Sequence, residues 1–252
     1  MTMTCPGRID IDQERKSGHT QVDKPCPRVD TAGMDAEDLR IVVYQAFARE
    51  GSVPDAAGLA ARLDAEPDEV MRGLRELAAT RHVVLDHAGR IVMAHPFAAI
   101  PLGFAVMGHD TLWWGGCAWD SFALPHLLPE ESPALVATRC PGCSAPLAWN
   151  VAIDAPPEGP QVAHFLVPAA HIWDDVVHTC GHQRLFCSPA CVDDWLEASG
   201  NQRGYFMDLA TLWRLAQGWC AGRLDRGYVR RDPSQAADYF RSVGLTGPFW
   251  GL

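Results

Sequence analysis

The chain has 252 residues, enough for one large domain or two small ones with a real core. Its formal net charge of -10 argues against nonspecific nucleic-acid binding and against an anionic membrane surface. No uninterrupted apolar run reaches the roughly 18 residues that span a bilayer, and the first residues lack the apolar centre of a secretory signal. A cytoplasmic protein is expected.

In chain order, residues 1–33 are polar and show no helical or strand period, so a flexible tail is expected there. Cys5 and Cys26, each beside a proline, read as incidental tail cysteines. Order is expected from Asp35, a plausible N-cap. Leu39, Val42, Val43, Ala46 and Phe47 follow at helical spacing, with Glu37 and Asp38 on the first turn. A shorter helix follows Pro54, and a third follows Pro67 with Val70, Met71, Leu74 and Leu77 inward. Two short extended runs, 82–86 and 90–94, flank a turn at Ala88-Gly89. Three helices and a hairpin make a winged-helix-like pattern over 34–104. Acids outnumber bases there, so packing against the next domain is a better reading than DNA recognition.

Residues 95–108 are apolar and Pro-interrupted, as in a buried crossover into a second domain. Strands are predicted at 110–114, 147–153, 161–167 and 184–186, and helices at 118–128, 189–198 and 209–216. A last helix is predicted at 234–243 with Asp232 as its N-cap. The fold class expected is α+β: a winged-helix-like helical domain, then a small mixed, largely antiparallel sheet domain with covering helices at 105–217. Residues 218–252 read as a C-terminal extension.

The stretch Trp113-Trp-Gly-Gly-Cys-Ala-Trp-Asp-Ser-Phe122 carries the most chemistry. A strand ends at the glycine pair and a helix starts at Cys117. The helix N-terminus favours a thiolate there, and Asp120, three residues on, shares its helix face. A thiol and a carboxylate together can bind a soft cation and move a proton. The same pattern also suits a small buried cysteine and an aspartate that caps the helix.

There are nine cysteines, of which Cys140, Cys143, Cys180, Cys187 and Cys191 are clustered. Cys140-Pro-Gly-Cys143 is a tight knuckle, and Cys187-Ser-Pro-Ala-Cys191 sits where Ser188 can cap and Pro189 can open a helix. Four such thiols match a structural zinc site, against the alternative of ordinary reduced cysteines. Cys180 and His182 could substitute as ligands. His126, His171 and His178 carry no assignment, and Cys220 reads as packed.

Cys117-Ala-Trp-Asp-Ser-Phe-Ala-Leu-Pro125 resembles the signature of the organomercurial (alkylmercury) lyase family, and His178-Thr-Cys-Gly-His-Gln-Arg-Leu-Phe-Cys-Ser188 is similar to that family's second catalytic segment. Thr138-Arg-Cys-Pro-Gly-Cys-Ser-Ala-Pro146 resembles the segment between them. The resemblance covers roughly 35–216. It implies Cys117, Asp120 and Cys180 as catalytic residues, with Cys117 and Cys180 holding mercury. It also implies protonolysis of the carbon–mercury bond to hydrocarbon and Hg(II), without an organic cofactor. Organomercurial small molecules would be the substrates, and thiols or a mercuric reductase would accept the Hg(II) product. Gly181 departs from the pattern, because the family usually has a further cysteine there. Two rival readings are a lyase-like biosynthetic tailoring enzyme and a metal-responsive winged-helix regulator.

Overall fold

Asp35 accepts a hydrogen bond from the Glu37 backbone and so starts helix α1 (Ala36–Glu50). Asp55 caps α2 (Ala56–Leu63) on the Gly58 backbone. A Glu66/Glu69 capping box and Pro67 in the first turn open α3 (Pro67–Ala79). The computed structural model describes residues 34–252, so the tail expected at 1–33, with Cys5 and Cys26, lies outside the described residues.

After α3 come β1 (Val84–Leu85), β2 (Ile91–Ala94), β3 (Phe97–Ala98), β4 (Phe104–Met107) and β5 (Leu112–Gly115). Helix α4 (Ala118–Leu127) follows, then β6 (Ala134–Arg139), β7 (Pro146–Val151), β8 (Val162–Phe165), α5 (Val176–Gly181) and β9 (Gln183–Phe186). The chain continues through α6 (Pro189–Ser199), β10 (Tyr205–Asp208), α7 (Leu209–Trp219) and α8 (Pro233–Ser242).

The strands form two antiparallel sheets. One has seven strands in the order β1-β2-β3-β5-β4-β6-β7, and the other has three in the order β10-β8-β9. The larger sheet alternates: Trp113 and Gly115 of β5, and Leu147, Trp149 and Val151 of β7, face inward. Helix α4 lies against β4 and β5 and packs along α7. The α+β class with largely antiparallel pairing and covering helices is what the structure has.

The hairpin that follows the three helices belongs to the same sheet as the later strands. The division expected between residues 104 and 105 therefore falls inside β4, and the one expected at 217/218 falls inside α7. The first helices are tied into this core. Phe47 stacks on Phe97 with ring centroids 5.4 Å apart. The Trp113 indole donates to the Phe47 carbonyl at 2.8 Å. Among the described residues, no helix is long and apolar enough to cross a membrane.

Residues 95–108 are not a simple crossover. They contain β3 and all of β4, because pairing with β5 and β6 overrides the proline interruptions.

Candidate active site

Strand β5 runs directly into α4, and the joint is tight. A Cβ on Gly115 would lie 2.0 Å from Ser121 Oγ, and one on Gly116 would lie 2.3 Å from Asp120 Oδ2. Two residues without side chains let the first turn of α4 fold back against the strand end. Cys117 takes the N-cap position, and its sulfur accepts a hydrogen bond from the Asp120 backbone at 3.4 Å. The Ser121 hydroxyl donates to the Cys117 carbonyl at 2.6 Å.

Three groups converge on one oxygen of Asp120. Cys117 Sγ lies 3.3 Å from Oδ2, Cys180 Sγ lies 3.9 Å from it, and His95 Nδ1 lies 3.0 Å from it. Cys180 comes from α5, which Asp175 caps through the His178 backbone. His95 comes from the link between β2 and β3. Gln183, the first residue of β9, accepts from Cys117 through Oε1 at 2.9 Å. The structure thus brings Cys117, Asp120 and Cys180 together across 60 residues of intervening chain. It adds His95 and Gln183, which carry no sequence signal: each is a single polar residue whose partner is distant in the chain.

The resting state of Cys117 differs from the expectation. The helix N-terminus was expected to favour thiolate, but burial pushes the Cys117 thiol well up, and the neighbouring Cys180 and the charge of Asp120 add to the rise. In Cys180 the hydrogen bond with Cys117 pulls down, yet burial and Asp120 outweigh it and the thiol ends raised. Both sulfurs are therefore protonated near neutral pH. Desolvation wins over the dipole because the side chains are only 2% and 3% exposed.

The site opens into a cavity of about 420 Å³. Trp119, Trp173 and Trp219 line it, and much of the remaining wall comes from residues after Gly218, including Arg223, Phe240 and Trp250. Phe240 stacks on Trp219 at 5.3 Å and meets Trp250 at 4.9 Å. The C-terminal segment is thus part of the site's wall, a role its composition did not reveal.

The other four clustered cysteines form a separate group. The sulfurs of Cys140, Cys143, Cys187 and Cys191 all lie within 4.8 Å of one another. Cys143 and Cys187 sulfurs are 3.5 Å apart, and the Cys187 backbone donates to Cys140 Sγ at 3.5 Å. Burial raises the Cys140 thiol, but backbone donors from Cys187, Cys143 and Gly142 outweigh it and bring it to about 7. Gly142 is required by proximity, since a Cβ there would lie 2.2 Å from the Cys191 carbonyl oxygen. Neither Cys180 nor His182 joins this group. Cys180 belongs to the cluster with His95 and Asp120, and the His182 ring lies tilted against His178 with centroids 4.1 Å apart. Cys220 is buried. His126 is half-buried against Trp213, and His171 pairs with Asp174 at the surface.

A family model described as alkylmercury lyase matches residues 97–221. A crystal structure of the mercury-bound form of MerB2 is similar in fold, with a TM-score of 0.54 at 17% identity over 71% of this chain and 88% of that one. No curated protein sequence matches this chain. His95 and the wall residues from Arg223 onward lie outside the matched span, whereas Cys117, Asp120, Cys180 and the four-cysteine group lie within it. Residues 97–221, just under half of the chain, are thus an alkylmercury lyase family domain.

Proposed function

We propose that this enzyme cleaves the carbon–mercury bond of organomercurials by protonolysis, with Cys117, Cys180 and Asp120 carrying the reaction. The supporting observation is the meeting of both sulfurs and His95 at Oδ2 of Asp120. Mercury is soft, so sulfur outcompetes carboxylate and water for it.

The proton inventory follows from two buried, protonated thiols. Cys117 exchanges its proton for mercury: R–Hg–X and Cys117–SH give R–Hg–S and HX. Cys180 then adds as a second thiolate, and its proton passes to Asp120. The resulting carboxylic acid protonates the carbon, which leaves as R–H with the electrons of the carbon–mercury bond. Hg(II) remains on two thiolates until two external thiols return the protons and remove it. No oxidation occurs at any step. Gln183 holds the Cys117 proton in the resting state, and His95 orients the carboxylate. The indole and phenyl wall offers the organic group an apolar surface.

The four-cysteine group fits a structural zinc ion. A tetrahedron with Zn–S distances of about 2.3 Å needs sulfurs roughly 3.8 Å apart, and the backbone donor to Cys140 suits a thiolate. Such an ion would tie the 140–143 turn to the start of α6. Its role is structural stabilisation, and no catalytic step passes through it.

The test is headspace detection of benzene from phenylmercury, or of methane from methylmercury, in excess thiol. Release above the enzyme-free rate is expected. No release from folded, reduced protein would defeat the proposal.

A further inference from the structure

The cavity beside Asp120 is lined by four arginines, Arg81, Arg223, Arg230 and Arg231, in a chain whose net charge is -10. Among the described residues, none of the four has a carboxylate within 4 Å. Among the described residues, the only acid on the cavity wall is Asp120, already engaged by His95 and the sulfurs.

Arg223 is the most telling of them. It is only 5% exposed. Nη1 donates to the His95 carbonyl at 2.6 Å and Nη2 to the Tyr228 hydroxyl at 3.2 Å, while Nε has no partner. A buried guanidinium held only by neutral acceptors lacks the counter-charge that burial calls for. Arg230 lies over the Trp173 ring at 4.3 Å and donates to the Arg81 carbonyl, and Arg81 lies over the same ring at 5.6 Å. Burial chiefly, with smaller contributions from Arg223 and Arg81, pulls the Arg230 guanidinium down to about 10. Trp173 in turn meets the His95 ring edge at 5.6 Å. The cationic groups are therefore one ring away from the residue that touches Asp120. Arg231 spends two donors on the carbonyls of Gly218 and Trp219 and contributes mainly charge.

We propose that Arg81, Arg223 and Arg230 receive a carboxylate carried by the mercury compound, so that the enzyme prefers anionic organomercurials. This rests on the lyase reading above. The carboxylate can sit on the organic group or on the thiolate that accompanies mercury into the cavity. Planar guanidiniums match a planar carboxylate, and the apolar ring surfaces between them favour an aryl or alkyl spacer. The negative Asp120 repels such a group from the reacting end, which orients the compound with mercury toward the sulfurs.

The experiment compares kcat/KM for phenylmercury and 4-carboxyphenylmercury, each in excess 2-mercaptoethanol, with phenylmercury in excess 3-mercaptopropionate as a third arm. Quenching of tryptophan fluorescence is followed for the same combinations. A preference of about tenfold or more for a carboxylate-bearing arm is expected from charge-assisted hydrogen bonds. Preference in the second arm places the carboxylate on the organic group, and preference in the third places it on the thiolate. Arg230→Gln and Arg81→Gln, both on the accessible side of the cluster, should bring the ratio toward one. Equal rates in all arms, or a ratio untouched by both variants, would overturn the proposal while leaving the lyase reading intact. If no compound is cleaved, the lyase reading fails. The fluorescence titrations then decide alone, through a carboxylate preference that either weakens or persists in Arg230→Gln.

Discussion

His95 Nδ1 lies 3.0 Å from Oδ2 of Asp120, although 25 residues separate the two in sequence. The same histidine accepts from Arg223 through its carbonyl, so it is held on both sides. The oxygen it contacts is also the one nearest both sulfurs, which makes Oδ2 the atom through which a proton moves in the proposed reaction. His95→Gln should slow turnover by roughly tenfold to a hundredfold, below the 10²–10⁴ range of a direct acid–base group. Mercurial binding should persist. Single-turnover rates would separate the two effects, and full wild-type turnover would remove His95 from the site's working parts.

Cys117→Ala and Cys180→Ala should each reduce hydrocarbon release to the enzyme-free rate. Asp120→Asn should still take up mercurial, measured as retained mercury after gel filtration, but should not release hydrocarbon. The amide cannot carry the proton from sulfur to carbon. Sustained release by Asp120→Asn would show that the proton reaches carbon by another route.

The raised thiols predict two pH effects. Burial and Asp120 keep Cys117 protonated, so its alkylation by iodoacetamide at pH 8 should be slower than that of a free cysteine. Asp120→Asn removes a negative charge and should lower the thiol's pKa, making alkylation faster. Stability should also respond. Cys117 and Cys180 are raised, and burial lifts Cys220 to about 11. The folded state then binds more protons than the unfolded one above the usual thiol value of roughly 8.5. Stability is full below that pH and declines as pH rises through the folded values. A Tm that holds constant from pH 8 to 10.5 would contradict the assignment.

The four-cysteine group predicts one zinc ion per chain on metal analysis of the reduced protein. Cys143→Ser changes an exposed ligand and should lower Tm by about 4–8 °C, the equivalent of ~2 kcal/mol for a chain of this size. Gly142→Ala leaves every ligand in place yet brings a methyl against the Cys191 carbonyl, so it should weaken metal retention as well. Zinc-free protein with unchanged Tm in both variants would make these four ordinary thiols.

Phe240→Ala should cost about 3 kcal/mol, at the low end for an aromatic truncation, because the ring touches Trp119, Trp219 and Trp250 and is almost fully buried. It also opens the cavity wall. Denaturant titration would measure the first effect, and the KM for an aryl mercurial, expected to rise, the second.

Much of this fold is legible in local pattern. Helices α1, α2 and α3 declare themselves by apolar spacing, and Asp35, Ser188 and Asp232 cap where their chemistry says they should. Helix α5, of six residues, is too short to show a period, and β6 lies unannounced behind Pro133. Cys117 and Cys180 were found through motif resemblance, because nothing local says that two cysteines so far apart will meet. His95 and Gln183 were missed for that reason. The aromatic wall escaped because Trp219, Phe240 and Trp250 follow no local period and find one another only through tertiary packing. The raised Cys117 thiol is not legible in sequence, because a helix start is visible there and the degree of burial is not.

Strand β9 has a job at each end. Gln183 at its start touches the Cys117 sulfur, and Cys187 follows its last residue and joins the four-cysteine group. Four residues of extended backbone span about 13 Å. On the proposed reading, the strand is a short strut between the groups that take mercury and the four-cysteine clip that would hold zinc. Distortion of the clip would then reach Gln183, the hydrogen-bond acceptor of the Cys117 thiol, and couple the mechanical integrity of one end to the proposed chemistry of the other.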